Sequence, residues 1–254
     1  MINADRHRDG RIVASIEARM GSSRLPGKVL MDVAGRPALT RLLNRLRQCK
    51  FLDDVVLATS VASADDALED WANSEGVPVF RGSEEDVLER VVGAQSFMES
   101  DVVVEVTGDC TLIDPDVIDM GIETFLANEC DVVNNFHVPS YPEGIDVQVF
   151  RLADLAHVAN TVDDPAVREH VSLFFYENPD LYQIITLMAP AKWRGEGLRF
   201  QLDYPEDSAF ISEVYRRLEP EHGPCFGLDE IMELLRATPT LREINAHCVE
   251  KAVR

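Results

Sequence analysis

Four short apolar segments, each ended by a turn and parted from the next by a stretch with helical spacing, most constrain what this chain can fold into. Residues 12–16 (IVASI), 55–59 (VVLAT), 77–80 (VPVF) and 102–107 (VVVEVT) are short and mostly β-branched, as strands covered on both faces are. After Pro37, Leu39, Leu42, Leu43 and Leu46 recur at helical spacing. A helix is expected around 64–74, and 84–98 carries Val87, Val91 and Val92 on one face. Asp114 caps and Pro115 opens a further helix, striped by Val117, Ile118, Gly121, Ile122, Phe125 and Leu126. This rhythm predicts an α/β fold of Rossmann-like type, a mostly parallel sheet flanked by helices. Ligands of such sheets lie in the crevice at the carboxyl ends of the strands.

Beyond residues 131–135 the rhythm loosens. The stretch 136–194 holds His137, Pro139, Tyr141, Pro142 and Gly144, then a strand-like run at 145–150. Regular pattern returns at 198–203 (LRFQLD), read as a strand because Leu198, Phe200 and Leu202 alternate. Helices are expected at 205–218 and 227–237. One domain over 11–254, with an inserted lobe at 136–194, is the simplest organisation.

The chain carries 24 Lys and Arg against 45 Asp and Glu, a formal charge of −21. That disfavours nucleic acid and anionic membranes as partners. No run approaches the ~18–20 apolar residues of a membrane span. The first ten residues, with Arg6, His7, Arg8 and Asp9, lack the apolar core of a secretion signal. Five scattered cysteines (Cys49, Cys110, Cys130, Cys225, Cys248) without a C-x-x-C pair argue against a disulfide framework or zinc site and fit a reducing cytoplasm. An anionic ligand would therefore need a local basic cluster.

Such a cluster directly follows the first strand, in residues 18–28, ARMGSSRLPGK. Arg19, Arg24 and Lys28 stand there with no acid among them. Gly21, Ser22, Ser23 and Gly27 let the backbone approach a ligand and offer N–H and hydroxyl donors to phosphate oxygens. The spacing is not that of a Walker loop. The bland alternative is a surface turn with solvated cations; three cations in eleven residues of so acidic a chain favour a polyphosphate site. Asp109 ends the fourth strand, too early to cap the helix after Asp114, and Asp203 ends the LRFQLD segment. Two aspartates on the sheet edge that carries a phosphate loop suit Mg²⁺, which takes hard oxygen ligands from one or two carboxylates and substrate phosphates.

These blocks resemble the cytidylyltransferase family that includes the CMP-Kdo and CMP-sialic acid synthetases, and within it the branch of spore-coat polysaccharide biosynthesis protein F. The matching text is ARMGSSRLPGKVL, FRGSEEDVLER, TGDCTLID, YPEGIDVQVF, REHV and RFQLDYPED, spanning about 12–207. The resemblance implies a nucleotide-diphospho-sugar transferase fold. It implies transfer of CMP from CTP to a sugar acid or related sugar with loss of pyrophosphate. Arg19, Arg24 and Lys28, with Ala18, Met20, Gly21 and Ser22, would hold the triphosphate; Asp109 and Asp203 would hold Mg²⁺. Arg81, Ser83 and Asp86 would lie near base and ribose, and Glu143, Asp146, Glu169 and His170 would border the acceptor. A homodimer contact is expected from the 136–194 lobe. Two positions depart from the family: Thr111 stands where proline is usual, and Glu17 where the related branch often has glutamine.

Two other readings stay open on these residues. A glycosyltransferase of the same fold would consume a nucleotide sugar, but such enzymes show an Asp-x-Asp pair, whereas Cys110 and Thr111 follow Asp109. A non-catalytic nucleotide-binding module is disfavoured by the full set of phosphate and metal residues. The base is open too, since a sugar-1-phosphate enzyme using GTP would carry much the same loop.

Overall fold

A parallel sheet is covered by helices on both faces; the segments at 12–16, 55–59 and 102–107 are buried accordingly, and the one at 77–80 is a half-buried edge. The computed structural model describes residues 10–249; most of the polar stretch read for a secretion signal lies outside them, as does the tail from 250. In chain order come β1 (Ile12–Glu17), a small hairpin of β2 (Asp32–Val33) and β3 (Arg36–Pro37), and α1 (Ala38–Leu46). β4 (Asp54–Ser60), α2 (Asp66–Glu75), β5 (Val79–Gly82), α3 (Val87–Phe97), β6 (Val102–Thr107) and α4 (Pro115–Ala127) complete the regular half. Then follow β7 (Val132–Asn134), β8 (Gln148–Arg151), α5 (Leu152–Thr161), α6 (Pro165–Glu169), α7 (Leu173–Glu177) and β9 (Ile184–Thr186). The chain closes with α8 (Pro205–His222) and α9 (Leu228–Ala237).

The seven-stranded sheet runs β5-β4-β1-β6-β8-β7-β9. Only β8 is antiparallel to its neighbours. Alternate residues of one strand feed opposite layers: Ala14 and Ile16 pack with α1, α2, α4, α8 and α9, while Val13 faces α3. A third set of contacts seats α5, α6 and α7 beside α3. The register pairs Glu17 with Ala58 and with Thr107, so β1, β4 and β6 end level at one carboxyl edge.

Asp114 caps α4 as its position before Pro115 predicted, accepting from the Asp116 and Val117 amides at 2.9 and 3.3 Å. Its second oxygen also takes the Leu228 amide at 2.5 Å, so one carboxylate ties the starts of two helices. Apolar spacing gave no hint that α1 buries two arginines. Arg45 donates to the Tyr215 hydroxyl at 3.0 Å and the Phe226 carbonyl at 2.8 Å, and Tyr215 donates to the Thr111 carbonyl at 2.8 Å. That network fixes the loop running from Asp109 into α4.

Two expectations are corrected. Residues 198–203 are extended but form no strand of the sheet. Their amides are divided between two loops, Phe200 to the Glu143 carbonyl (2.7 Å) and Leu202 to the Asp109 carbonyl (3.0 Å), so no ladder develops beyond one bridge. The alternation was real, since Phe200 and Leu202 are fully buried. Residues 136–194 are woven into the sheet rather than added to it, because β8 lies between β6 and β7.

Candidate active site

A parallel sheet leaves its carboxyl edge open, and here the level ends of β1 and β6 floor a cleft of about 900 Å³. The two ends touch at Gly108, whose amide donates to the Glu17 carbonyl at 2.8 Å. A Cβ at Gly108 would stand 3.0 Å from that carbonyl oxygen and 3.1 Å from the Ala18 Cβ, so close approach requires glycine there.

The basic loop leaves β1 and folds back on itself. The Met20 carbonyl accepts from both the Ser22 and Gly27 amides at 3.0 Å, and the Met20 amide is held at 2.7 Å by the buried Asp65 carboxylate. This anchoring returns Lys28 to the strand ends. Its Nζ lies 2.5 Å from Asp109 Oδ2 and 2.7 Å from Asp203 Oδ1, bridging the two carboxylates. Arg24 reaches the same Asp203 oxygen at 2.8 Å, while its Nη1 is shut off from solvent with no partner among the described residues. Among the described residues Arg19 reaches only the Glu84 carbonyl, at 3.4 Å.

Each aspartate is held from behind. Asp109 accepts from the Thr107 hydroxyl at 2.6 Å and the Gln201 amide at 3.3 Å. Asp203 accepts from Arg199 Nη2 at 2.7 Å; Arg199 also binds Asp207 through Nε and pairs with Glu143. Asp207 in turn accepts from the backbone amides of Asp203 and Tyr204 at 3.0 Å, fixing the turn into α8.

Burial would lower the Lys28 pKa, but Asp109 and then Asp203 outweigh it and hold the ammonium above the usual lysine range. Burial likewise opposes ionisation of Asp109, and Lys28 reverses this, keeping its carboxylate below the ordinary value. Both groups are therefore charged at neutral pH. The reverse holds on the cleft floor, where the Glu17 and Glu105 carboxyls hydrogen-bond to one another. Burial pushes Glu17 up to about 7 against the opposing pull of Arg90, and burial with the Glu17 charge pushes Glu105 well above its usual range. Such a pair shares a proton.

The cleft gathers Ala18, Arg19, Gly21, Ser22, Arg24, Lys28, Asp109 and Asp203 along one part of its lining. Asp146, Glu169 and His170 line the same cleft. Other expected residues face elsewhere. Met20 packs against the core. Arg81 is turned away by two acids and two carbonyls, binding Asp66 and Glu69 at 2.7 Å and the Ser60 and Ala62 carbonyls at 2.9 Å. Ser83 receives the Asp86 amide, and Asp86 caps α3 while pairing with Arg168 at 3.3 Å. Glu143 is drawn to Arg199 and lines a separate cavity of about 380 Å³.

The cleft also holds groups that the sequence reading missed: Glu105, Arg90, Gln148, Tyr176 and Gln201. Two had a signal. A lone acid inside VVVEVT is a buried carboxyl, and Gln201 shares with Asp203 the phase of LRFQLD opposite to Phe200 and Leu202. Arg90 donates to the Ser83 carbonyl at 2.5 Å, and burial lowers its pKa. Its position on α3 beside Glu17 was not readable from helical spacing.

The residues of this set are suited to a divalent cation between Asp109 and Asp203. Two carboxylates converge on one point, already neutralised there by an ammonium, and the arginine beside them keeps a donor without a partner.

Comparison with known proteins agrees with this geometry. A family model described as cytidylyltransferase matches residues 13–242. The spore coat polysaccharide biosynthesis protein SpsF of Bacillus subtilis is 34% identical over 232 residues, covering 90% of this chain and 95% of the relative. The 3-deoxy-manno-octulosonate cytidylyltransferase of Chloroherpeton thalassium is 28% identical over 196 residues, covering 70% and 78%. The structure of a cytidylyltransferase from Leptospira borgpetersenii superposes with a TM-score of 0.83 at 27% identity, covering 91% of this chain and 95% of that one.

Proposed function

The chain belongs to the cytidylyltransferase family, and from that premise we propose that it transfers CMP from CTP to a hydroxyl of a sugar or sugar acid, releasing pyrophosphate. The observation that carries the reading is the Lys28 ammonium bridging Asp109 and Asp203 at the mouth of the basic loop.

In this reading Arg19, Arg24 and Lys28 bind the triphosphate, with Gly21 and Ser22 allowing its oxygens to approach the backbone. The acceptor oxygen forms a bond to the α-phosphorus, the bond from that phosphorus to the bridging oxygen breaks, and the proton of the attacking hydroxyl passes to water in the open cleft. Charge gathers on the departing pyrophosphate, where the three cations of the loop stabilise it. Asp109 and Asp203 would hold Mg²⁺, which would supply neutralisation of phosphate charge there. Arg199, Thr107 and Gln201 keep the two carboxylates aimed. Asp146, Glu169 and His170 border the acceptor; a 2-keto-3-deoxy sugar acid is the acceptor class that the Chloroherpeton relative's name supports.

The reading includes a cytoplasmic homodimer formed through residues 136–194. Val138, Leu181 and Met188 of that stretch are exposed, at 47, 69 and 49%, and no described helix is long and apolar enough to cross a membrane. The test of function is pyrophosphate release from CTP and Mg²⁺ across a panel of sugar acids and neutral sugars. Release that requires acceptor and is lost in Asp109→Asn supports it. Acceptor-independent release, or turnover only of a nucleotide sugar, contradicts it.

A further inference from the structure

We propose that Lys28 and Arg24 are internal counter-ions that close the metal site in the nucleotide-free enzyme and yield it when a triphosphate draws them away. The inference rests on the reading of Asp109 and Asp203 as the metal carboxylates.

All four carboxylate oxygens of the two aspartates are engaged, by partners of two kinds. Asp109 Oδ1 takes the Thr107 hydroxyl, and Asp203 Oδ2 takes Arg199. These partners are fixed. Arg199 is 4% exposed and simultaneously holds Asp207 and Glu143, so it has no freedom to leave. The two oxygens that face one another, Asp109 Oδ2 and Asp203 Oδ1, are held instead by Lys28 at 2.5 and 2.7 Å and by Arg24 at 2.8 Å. Gln201 adds a weaker contact to Asp109 Oδ2 at 3.3 Å.

Lys28 and Arg24 differ from Arg199 in two respects. Both belong to the basic loop, so a polyphosphate seated on that loop offers them new anionic partners within side-chain reach. Arg24 is also 28% exposed and keeps an unpartnered Nη1, so it is only partly committed to Asp203. An ion bridging the two facing oxygens would stand where Nζ stands, and a dication cannot share that space with an ammonium and a guanidinium. Metal alone must therefore displace both cations from the carboxylate oxygens that they neutralise, with no phosphate to receive them. Metal arriving with a triphosphate displaces them onto the phosphates. The exchange couples metal and triphosphate binding, and by reciprocity each raises the affinity of the other.

The test is Mn²⁺ titration of the nucleotide-free protein by electron paramagnetic resonance, for wild type, Lys28→Gln and Arg24→Gln, with folding checked by circular dichroism. Removing the bridging ammonium is expected to tighten Mn²⁺ binding at least tenfold, and removing Arg24 about threefold, as the loss of competing cations from a shared carboxylate site requires. Adding Asp109→Asn to Lys28→Gln should abolish the gain. Mn²⁺ affinity that is unchanged or weaker in Lys28→Gln overturns the proposal; if that variant does not fold, an unchanged affinity in Arg24→Gln overturns it. No nucleotide or acceptor enters the titration, so its result stands apart from the pyrophosphate assay. An enzyme that proves to use a base other than cytosine would still show the exchange.

Discussion

Glu17→Gln should stabilise this protein at alkaline pH and barely affect it in mild acid. The glutamine keeps the shape and the hydrogen bond to Glu105 but removes a carboxyl whose pKa is raised from 4.5 to about 7 in the folded chain. Because the folded value is the higher one, the folded state keeps a proton that the unfolded chain releases as pH climbs through that window. The wild type therefore loses stability from about pH 4.5 to 7, and the deficit is complete above it. The shift of 2.5 units, from 7 less 4.5, sets a ceiling of ~3.4 kcal/mol at 1.36 kcal/mol per unit. Glu17 opens to the cleft, where solvent screens its charge, and this reduces the effect to about 2 kcal/mol. Urea unfolding of wild type and variant at about pH 5 and about pH 8.5 measures it by linear extrapolation. A gain of the same size at both pH values, or a variant less stable than wild type at about pH 8.5, would refute the shared-proton account.

Arg199→Met leaves Asp203, Asp207 and Glu143 without their common cation and should cost about 3–5 kcal/mol in chemical denaturation, as breaking a buried ion pair does. A loss under about 1 kcal/mol would mean that those carboxylates simply take up protons. Gly144→Ala places a Cβ 2.6 Å from the Gln201 amide nitrogen at a φ of +91°, and so pushes on the segment carrying Asp203. Calorimetry should show CTP·Mg²⁺ binding weakened about tenfold or more, the 1.4 kcal/mol that a modest misplacement brings. Arg81→Gln, in an ion-pair cluster outside the cleft, should leave CTP binding within about threefold, while Arg90→Gln at the cleft wall should weaken it further. The opposite order would restore Arg81 to the nucleotide site.

What could be read in the sequence was what local pattern dictates. The β-branched segments, the cap at Asp114 and the acid-free basic loop all express their structure within a few neighbouring residues. Asp109 and Asp203 were legible for the same reason, since each interrupts an apolar segment at its end. The failures share a cause in side chains that choose among distant partners. Arg81 had the right motif neighbourhood, yet Asp66 and Glu69, on the preceding helix α2, draw it away. Glu143 goes to Arg199 across 56 positions for the same reason. The Glu17–Glu105 pair depends on the register of β1 against β6, and the LRFQLD segment alternates for burial while its amides serve two loops. Neither fact is local.

The most direct test of the central claim is thermal denaturation with CTP, GTP, UTP and ATP, each with and without Mg²⁺, in wild type and Asp109→Asn. A ligand at ~100 times its Kd that binds only the folded state adds ~2.7 kcal/mol, enough for a visible shift in Tm. The account predicts a Mg²⁺-dependent shift largest with CTP and weakened in Asp109→Asn. A shift with nucleotide sugars but with no triphosphate, or a CTP shift indifferent to both Mg²⁺ and the Asp109 carboxylate, would contradict it.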